Sequence, residues 1–389
     1  MDGRIYLDNG ASTKVDPVVV KEMLPYFTEQ FGNPSSLHAD GVAARDAVDR
    51  ARARIASIIG ARPDEIVFTS GGTESNNLAI KGIAYANVKK GKHLIVSAIE
   101  HDCVINSCKW LETQGFEVTY LPVNRTGLVG LSELEAAMRK DTVLVSIMHG
   151  NNEIGTVQPI EEMGKLCRER EVYFHTDACQ SFGKLRIDVQ RQKLDLITIN
   201  AHKIHGPKGV GALFVRGGTT ISPWQHGGGH EFGIRSSTEN VPGIVGFGKA
   251  AELCSSGLEE ESARLCRLRD RIIDGVSEKV AYAYLNGHRT KRLPNNVNFG
   301  FSGFEGEAIK LMLQLDEADI SVSTGSACSS NQGESRPSHV LTAIGLNPVE
   351  ARGALRVTLG KYNTEEEVDI FLQALPKAME SLRSISSLH

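Results

Sequence analysis

The 389-residue sequence lacks the features that mark membrane, secreted or zinc-stabilised proteins. No stretch approaches the ~20 apolar residues that a membrane helix needs, and the first residues carry no apolar signal region. The seven cysteines are odd in number and lack the paired spacing of a disulfide framework or a zinc site. We therefore expect a protein of the cytoplasm that does not associate with membranes.

An excess of positive charge is also absent. The formal net charge is −4, and charged residues make up 23% of the chain. This balance gives no reason to expect direct binding of nucleic acid. The sequence also lacks internal repeats, low-complexity segments and linkers rich in proline or serine. The composition is that of a globular protein with one large domain and a smaller one.

The first two-thirds of the chain alternate between short apolar, β-prone runs and helical patterns. The strands are predicted at residues 66–69, 93–97, 117–121, 143–148, 173–175, 196–199 and 211–215. The helices between them are predicted at residues 39–59, 74–89, 104–114 and 160–170. This alternation predicts an α/β fold with a mostly parallel seven-stranded sheet covered by helices on both faces.

The last third of the chain has a different pattern. It predicts one long amphipathic helix from about 246 to 276, strands near 295–299 and 355–359, and a closing helix from 365 to about 382. We expect residues 15–259 to form the large domain. Residues 1–14 and 260–389 are expected to form a smaller α+β domain.

Lys203 is the most informative single residue. It follows the apolar run that ends at Ile199, and a glycine-rich turn begins at Gly206. A lysine held at the end of a buried strand loses hydration, its pKa falls, and its neutral amine can condense with an aldehyde. Pyridoxal 5′-phosphate (PLP) is the common biological aldehyde held in this way.

An acid suited to the pyridine nitrogen of PLP lies 26 residues earlier, at Asp177. Gln180, three residues further on, could donate to the phenolic oxygen of the cofactor. The competing hypothesis is that His175 and Asp177 bind a metal ion, but no other suitable ligand lies near them in the predicted strands.

Two further motifs follow predicted strands. Gly71 and Gly72 open a helix, where free backbone amides favour an anion, and the Thr73 hydroxyl is an added donor for a cofactor phosphate. His101 could stack on a planar ring and exchange protons near neutral pH. The alternative is that His101 only caps a loop.

Asn152 also follows a predicted strand and offers an amide donor. Arg356 lies in a late strand, on the face opposite Leu355 and Val357. An arginine can bind a carboxylate through two parallel hydrogen bonds, although an internal salt bridge would explain this residue equally well. Cys328 is surrounded by glycine, serine and other small polar residues, which is typical of an exposed, mobile loop.

Taken together, these motifs resemble the cysteine desulfurases, which are fold type I PLP enzymes. The resemblance covers nearly the whole chain. It is carried by residues 6–13, 31–38, 69–77, 100–101, 151–153, 175–177, 202–203 and 325–328. It implies an enzyme that converts L-cysteine to L-alanine and leaves a persulfide on the protein.

The resemblance also implies a role for each matching residue. Lys203 would bind PLP covalently and move the α-proton, with Asp177, Gln180 and His101 around the ring. Thr73, Gly72 and His202 would bind the phosphate, together with Thr238 of a neighbouring subunit, which implies a homodimer. Asn152 and Arg356 would bind the substrate carboxylate, and Cys328 would take the sulfur.

Three positions depart from the family pattern. Asn200 occupies the place of a serine that contacts the phosphate in many relatives, and Ser237 replaces a glycine. The stretch from Cys328 to Pro337 is about two residues longer than in many relatives. It is similar to the long-loop desulfurases, which hand sulfur to scaffold or carrier proteins, and transient ligation of an iron–sulfur cluster by Cys328 is conceivable there.

Two alternatives stay open at this point. One is a selenocysteine lyase with the same fold and cofactor. The other is a PLP-bound but catalytically idle scaffold that docks partner proteins. The leading hypothesis is a desulfurase that supplies sulfur for iron–sulfur cluster assembly or other thiolation.

Overall fold

The structure, a computed structural model, describes residues 3–324 and 337–386. The helices are α1 Pro17–Met23, α2 Pro25–Thr28, α3 Ala39–Ile59, α4 Gly72–Ala86, α5 Asp102–Thr113, α6 Leu131–Ala137, α7 Ile160–Glu169, α8 Val241–Ser255, α9 Leu258–Lys279, α10 Ala308–Glu317, α11 His339–Ala343 and α12 Glu365–Ser386. The strands are β1 Ile5–Tyr6, β2 Ile66–Thr69, β3 His93–Ser97, β4 Glu117–Leu121, β5 Thr142–Ser146, β6 Tyr173–Asp177, β7 Leu196–Asn200, β8 Gly211–Val215, β9 Ala283–Leu285, β10 Asn296–Phe301, β11 Ile320–Ser321, β12 Ser323–Thr324 and β13 Leu355–Thr358.

A seven-stranded sheet forms the larger part of the molecule, in the order β2-β8-β7-β6-β5-β3-β4. The pairings among β7, β6, β5, β3 and β4 are parallel. Only β8 runs against its two neighbours, β7 and β2. The prediction of an α/β fold with a mostly parallel seven-stranded sheet is therefore confirmed.

All strands of the sheet except the edge strand β4 are buried almost throughout, which explains why most of them read as apolar runs. In β3, Ile95 packs into a cluster that includes α3 and α8. Its neighbours Leu94 and Val96 pack into a second cluster, with α4 and α5. Side chains of successive strand residues point to opposite faces, so one strand serves two helical layers.

A four-stranded antiparallel sheet lies in the C-terminal part, in the order β12-β13-β10-β9. Its cluster collects residues of α9, α10 and α12 and also Ile5 and Leu7. Strand β1 pairs with β11, so the start of the chain joins the C-terminal part. The division at residues 14/15 and 259/260 stays a prediction.

The prediction of one long helix over residues 246–276 is wrong. The structure has two helices, α8 and α9, separated at Ser256 and Gly257. Helix α8 packs against α3 beside the large sheet, whereas the apolar stripe of α9 joins the cluster beside the small sheet. One straight axis could not present apolar faces to both, and the Ser-Gly pair is a suitable place for a break.

The other predicted elements are present with shifts at their ends. Helix α4 begins at Gly72 and ends at Ala86, and strand β5 ends at Ser146 rather than at residue 148. Strand β6 extends to Asp177. Within the described residues, no helix is both long and apolar enough to span a bilayer.

Candidate active site

The site begins where strands of the large sheet end. Asp177 is the last residue of β6, Asn200 is the last residue of β7, and α4 opens at Gly72, three residues after β2. Strands β6 and β7 are parallel, and β2 runs in the same direction because β8 opposes both β2 and β7. Their carboxyl ends therefore lie along one edge of the sheet, where α/β proteins bind ligands.

Lys203 lies in the turn after β7 and is half-buried. Its Nζ donates hydrogen bonds to the backbone carbonyls of Gly10 and Ala11, the latter at 2.7 Å. The Gly10 carbonyl also accepts a hydrogen bond from Gln180 Nε2 at 3.0 Å. One carbonyl of the N-terminal segment thus joins the lysine to the glutamine.

The turn that carries Lys203 is closed from both sides. The Gly206 amide donates to the Ala201 carbonyl at 3.0 Å, and a Cβ at Gly206 would lie only 2.8 Å from that of Ala201. Thr13 binds the His202 carbonyl through both its amide and its hydroxyl. This close packing holds Lys203 beside the N-terminal segment, as the glycine-rich turn predicted.

The Asp177 carboxylate is buried and has two donors. The Cys179 amide donates to its Oδ1 at 2.9 Å, and Asn76 Nδ2 donates to its Oδ2 at 2.7 Å. Asn76, on α4, is itself 1% exposed. These two hydrogen bonds fix the orientation of the Asp177 carboxylate.

The metal hypothesis for His175 and Asp177 has no support in the geometry. Both ring nitrogens of His175 have hydroxyl partners, Ser146 at 2.8 Å and Thr198 at 3.0 Å. Burial lowers the pKa of His175 to about 4, so the ring is neutral. Across residues 3–324 and 337–386, no group of three or more His, Cys, Asp or Glu side chains could hold a metal ion.

His101 lies immediately before α5 and caps it. Its Nδ1 accepts a hydrogen bond from the Cys103 amide at 3.2 Å and lies 3.1 Å from the Cys103 sulfur. Asn76 Nδ2 also lies 3.1 Å from that sulfur. His101 is therefore linked to Asp177 through Cys103 and Asn76. The capping role that the sequence left open is present, and a further role for the ring is compatible with it.

The start of α4 is crowded on one side and open on the other. A Cβ at Gly72 would lie 2.7 Å from the Cys179 sulfur and 3.4 Å from Asn200 Nδ2, so any larger residue would force the Cys179 side chain to move. Thr73, one residue further, is exposed. Free amides and a hydroxyl at a helix start form a suitable site for an anion.

His202 directly precedes Lys203, and its Nδ1 lies 3.4 Å from Ser12 Oγ. Burial, together with the neighbouring Lys203 cation, lowers the pKa of His202 to about 4. Its neutral ring can donate one hydrogen bond without adding charge. Asn200, at the end of β7, is 4% exposed, and its Oδ1 has no partner among the described residues.

Arg356 enters from the small sheet. Leu355 and Val357 belong to the apolar cluster, whereas Arg356 faces the other way, as the strand pattern predicted. The guanidinium donates to Asp8 Oδ1 at 3.0 Å and to the Asn152 carbonyl at 3.2 Å. Asn152 Oδ1 is buried with no partner within the described part of the chain. Both predicted substrate residues are thus in contact, and the salt bridge left open by the sequence exists as well.

Thr238 is exposed and makes none of the contacts described above. The segment that carries Thr238 is fixed to the large sheet through Glu231. Glu231 forms a buried ion pair with Arg52 at 2.7 Å and accepts the Phe68 amide at 2.6 Å. Ser237 has a φ of 147°, a backbone conformation that glycine adopts at lower cost. The glycine that the family resemblance implies at this position would adopt this conformation with less strain.

Cys328 lies outside the described residues. The chain beyond it is attached by two described side chains. Ser338 Oγ donates to Glu153 Oε2 at 2.6 Å, and His339 Nε2 donates to the Glu100 carbonyl at 2.8 Å. Glu153 and Glu100 are the sequence neighbours of Asn152 and His101. Residues 338 and 339 therefore lie beside the neighbours of two predicted site residues.

Sequence reasoning missed several residues of this region. Asn76 was hidden in an ordinary helical pattern, and Gly10 and Ala11 contribute only their carbonyls. Glu100 is fully buried, and burial raises its pKa to about 8. Its Oε1 accepts from Ser97 and from the Met148 amide. The strand-end motifs could have drawn attention to Glu100, but only the fold shows that it is buried.

The chain belongs to the class-V aminotransferase family, whose model matches residues 5–371. Within that family it is an enzyme of the cysteine desulfurase type. It is 52% identical over 384 residues to the cysteine desulfurase IscS of Methanosarcina thermophila, covering 99% of this chain and 94% of that protein. It is 53% identical to the cysteine desulfurase IscS 1 of Archaeoglobus fulgidus, covering 99% of each.

Solved structures agree with this assignment. A NifS-like protein superposes with a TM-score of 0.90 at 39% identity, covering 97% of this chain and 99% of that one. SspA in complex with cysteine superposes with a TM-score of 0.81 at 41% identity, covering 92% and 100%. The prediction of a PLP-dependent cysteine desulfurase of fold type I is confirmed.

The described residues fit PLP. The cofactor needs an amine, an acid, hydrogen-bond donors and an anion site, and Lys203, Asp177, Gln180 and the start of α4 supply them along one sheet edge. The buried Oδ1 atoms of Asn152 and Asn200 have no partner among the described residues, as expected of polar groups that face a ligand.

Proposed function

We propose that this chain converts L-cysteine to L-alanine with PLP and passes the sulfur through Cys328 to an acceptor protein. The observation that carries the proposal is the meeting of Lys203 and Gln180 at the Gly10 carbonyl, at the sheet edge where Asp177 ends β6. A reactive amine, a ring-binding amide and a buried acid are the groups that a PLP enzyme must bring together.

Four residues would bind the cofactor ring. Lys203 would hold the aldehyde carbon covalently, and Asp177 would accept a hydrogen bond from the protonated pyridine nitrogen. Gln180 would donate to the phenolic oxygen, and His101 would stack on the ring. The hydrogen bond from Asn76 holds the Asp177 carboxylate in place for this task.

The phosphate would lie at the start of α4. The Gly72 backbone, the Thr73 hydroxyl and the neutral His202 ring would bind it, with the Asn200 amide as a further donor. Thr238 of a second subunit would complete this set, so we propose a homodimer. Phe27, Phe31 and Leu37 are exposed in one N-terminal segment and provide apolar surface for such contact.

When bound, PLP supplies an electron sink that allows a carbanion to form at the substrate α-carbon. Lys203, once its amine is released by the incoming substrate, would take the α-proton and return it to carbon. The Gly10 and Ala11 carbonyls orient that amine. His101 would assist the proton transfer.

Asn152 and Arg356 would bind the carboxylate of the substrate. Arg356 already points at the backbone of Asn152, and its Nε has no partner among the described residues. The Asp8 carboxylate keeps the guanidinium oriented. A planar guanidinium binds a carboxylate in a defined orientation, which would fix the side chain of cysteine relative to the ring.

Cys328 would carry out the sulfur step as a thiolate. Its sulfur attacks the substrate sulfur, a new S–S bond forms, and the C–S bond of the substrate breaks. The electron pair of that bond goes to the substrate carbon, which then takes a proton and leaves as part of alanine. The persulfide on Cys328 next passes its terminal sulfur to an acceptor thiol.

The relatives' names support the route of the sulfur. Desulfurases named IscS are the most numerous among the reported relatives, and SspA was solved with cysteine bound. We propose iron–sulfur cluster assembly as the destination, with a scaffold protein as the acceptor. The six described cysteines are all free thiols, which supports a reducing, cytoplasmic location.

The test is mass spectrometry of the holoenzyme after incubation with cysteine, combined with assay of alanine. Wild type should form alanine and gain sulfur on the peptide that contains Cys328. Cys328→Ser should keep the absorbance of bound PLP and gain no sulfur, whereas Cys266→Ser should behave like wild type. Persulfide on purified Cys328→Ser would overturn the assignment.

The same variants separate the remaining alternatives. If the protein is a selenocysteine lyase, the Cys328→Ala variant should still release alanine from selenocysteine. The wild-type protein should then act poorly on cysteine. An idle scaffold would bind PLP but form no alanine with either substrate in excess dithiothreitol.

A further inference from the structure

Lys184 is a buried lysine that the proposed mechanism does not use. It lies in the segment that connects β6 to β7 along the chain, and it is only 9% exposed. Its Nζ donates hydrogen bonds to the backbone carbonyls of Gln180 and Lys203, both at 3.1 Å. One ammonium group therefore bridges the backbone of two residues that the proposed function places on the cofactor.

The Lys184 backbone is held from the other side. Ser262, in α9, donates its hydroxyl to the Lys184 carbonyl. Lys184 and Lys203 both line a cavity of about 500 Å³, together with Cys254 of α8. The side chain thus lies at a junction between the turn of Lys203 and the two helices that separate at Gly257.

The Lys184 ammonium has no carboxylate partner within 4.0 Å among the described residues, in contrast to four other charged groups around the cavity. Asp16 pairs with Lys361, and Glu261 pairs with Arg264. The charged group that acts directly on Lys184 is the cation of Lys203, which opposes its charge. Burial raises the pKa of the nearby Cys254 and Cys179 thiols, so neither supplies a negative charge near neutral pH.

The remaining titratable groups of the cavity are farther toward solvent or already engaged. Glu260 and Arg267 are exposed. His205 Nδ1 lies 2.9 Å from the Lys14 carbonyl. The cation of Lys203 acts on Lys184, and neighbouring cations favour the neutral form of each other.

We propose that Lys184 is a positioning residue that fixes the backbone of Lys203 and Gln180 and whose positive charge keeps the Lys203 amine easy to deprotonate. The inference rests on the proposed function, because it concerns the same amine. A cation placed beside a reactive lysine is a known way to lower its pKa and make it nucleophilic at neutral pH.

The proposed role requires the Lys184 side chain to be protonated near neutral pH. Burial, with the Lys203 cation as the second cause, lowers the pKa of Lys184 to about 8. The side chain is therefore still cationic at neutral pH. A purely structural bridge would need only a hydrogen-bond donor at this place, whereas the proposed role needs the charge.

Three substitutions separate the donor from the charge. Lys184→Arg keeps both, Lys184→Gln keeps a donor without charge, and Lys184→Met keeps only the length and the apolar stem. Lys165→Met, on the exposed face of α7, is the matched control. The readout is the pH midpoint of the visible absorbance of the bound cofactor in each holoenzyme.

The proposal expects Lys184→Gln and Lys184→Met to raise that midpoint by roughly one pH unit, because a nearby buried cation has been removed. Lys184→Arg and the control should stay within a few tenths of a unit of wild type. The pH profile of kcat/KM should shift in the same direction. If Lys184→Met fails to fold, the comparison of Lys184→Arg with Lys184→Gln decides.

Equal midpoints for the arginine and glutamine variants would overturn the proposal. Failure of the proposed function would look different. It would be seen in wild type, as absent cofactor absorbance or absent alanine, before any variant at position 184 is compared.

Discussion

Lys203, Asp177 and Asn200 end or follow strands of the seven-stranded sheet, whereas Arg356 lies within a strand of the four-stranded sheet. The large sheet is parallel over most of its width and is buried on both faces, so the carboxyl ends of its strands form one polar edge. The small sheet is antiparallel, and alternation along β13 turns Arg356 away from the apolar cluster.

This difference separates two tasks. Groups of the large sheet would hold the cofactor, and they are bound to one another through Asn76 and Gly10. The group from the small sheet would recognise the substrate. Variants of the large-sheet groups should therefore alter the absorbance of bound PLP, whereas a variant of Arg356 should leave it intact.

The largest effect is expected for Lys203→Ala. Without the amine, no covalent link to PLP can form and no base remains for the α-proton, so turnover should fall by about 10⁴-fold or more. Visible spectroscopy and an alanine assay check this, with Lys165→Ala, on the exposed face of α7, as the control. Retained turnover in Lys203→Ala would remove the residue from the mechanism.

Arg356→Gln tests the other sheet. Loss of the guanidinium should raise the KM for cysteine by roughly 10- to 100-fold, because a charge-assisted pair with the carboxylate is lost. The spectrum and affinity of bound PLP should match wild type. The surface variant Arg271→Gln is the control, since its Asp369 pair lies far from the site. If Arg356→Gln loses PLP instead, the assignment of cofactor binding to the large sheet and substrate recognition to the small sheet is wrong.

A smaller effect is expected at Asn76. Asn76→Leu removes one donor from Asp177, which costs about 1–2 kcal/mol and should weaken PLP binding roughly tenfold. Asn76→Asp should weaken it more, since two carboxylates would then face each other. Equilibrium dialysis of PLP measures both. The control is Asn87→Leu, at the opposite end of α4, which should bind PLP with the affinity of wild type. If both Asn76 variants also bind PLP with that affinity, Asp177 does not need the hydrogen bond from Asn76.

The smallest effect on catalysis is expected for Glu100→Gln. This variant should instead change how the free energy of unfolding depends on pH. Burial raises the pKa of Glu100 to about 8, so the folded protein keeps a proton that the unfolded chain loses above pH ~4.5. Wild-type stability should consequently fall as the pH rises from about 5 to 8. The amide should retain both contacts, because Ser97 and Met148 share one carboxyl oxygen.

Urea denaturation at pH 5 and pH 8 checks this expectation. The advantage of Glu100→Gln over wild type should grow with pH, by on the order of 2 kcal/mol across the interval. The exposed Glu278→Gln variant should show no such trend. An advantage that shrinks toward pH 8 would mean that the carboxyl is ionised in the folded state.

The strands of the large sheet were predicted from the sequence more accurately than those of the C-terminal part, and the reason is physical. Most strands of the large sheet read as apolar runs because both of their faces are buried, the edge strand β4 being the exception. The predicted bounds of all seven strands lie within two residues of the structure. Strand β9 is half-exposed along its length, and β1, β11 and β12 have two residues each. Such short segments carry no periodic signal, so they were missed.

The site shows the same limit. Lys203, Asp177 and Arg356 could be found because each stands out in an apolar strand or at its end. Asn76 and Lys184 act through bonds to residues 101 and 19 positions away, which no local pattern reveals. The break between α8 and α9 also depends on which sheet each helix contacts, and that is a property of the fold.

The identity of the lysine that binds the cofactor is the claim on which the account depends. Borohydride reduction of the holoenzyme, followed by peptide mass spectrometry, identifies that lysine directly, because reduction makes the link to the cofactor permanent. The account predicts the reduced cofactor on the peptide that contains Lys203 and none on Lys184, which shares its cavity. Label on Lys184 or on any other lysine, with Lys203 unmodified, would contradict it.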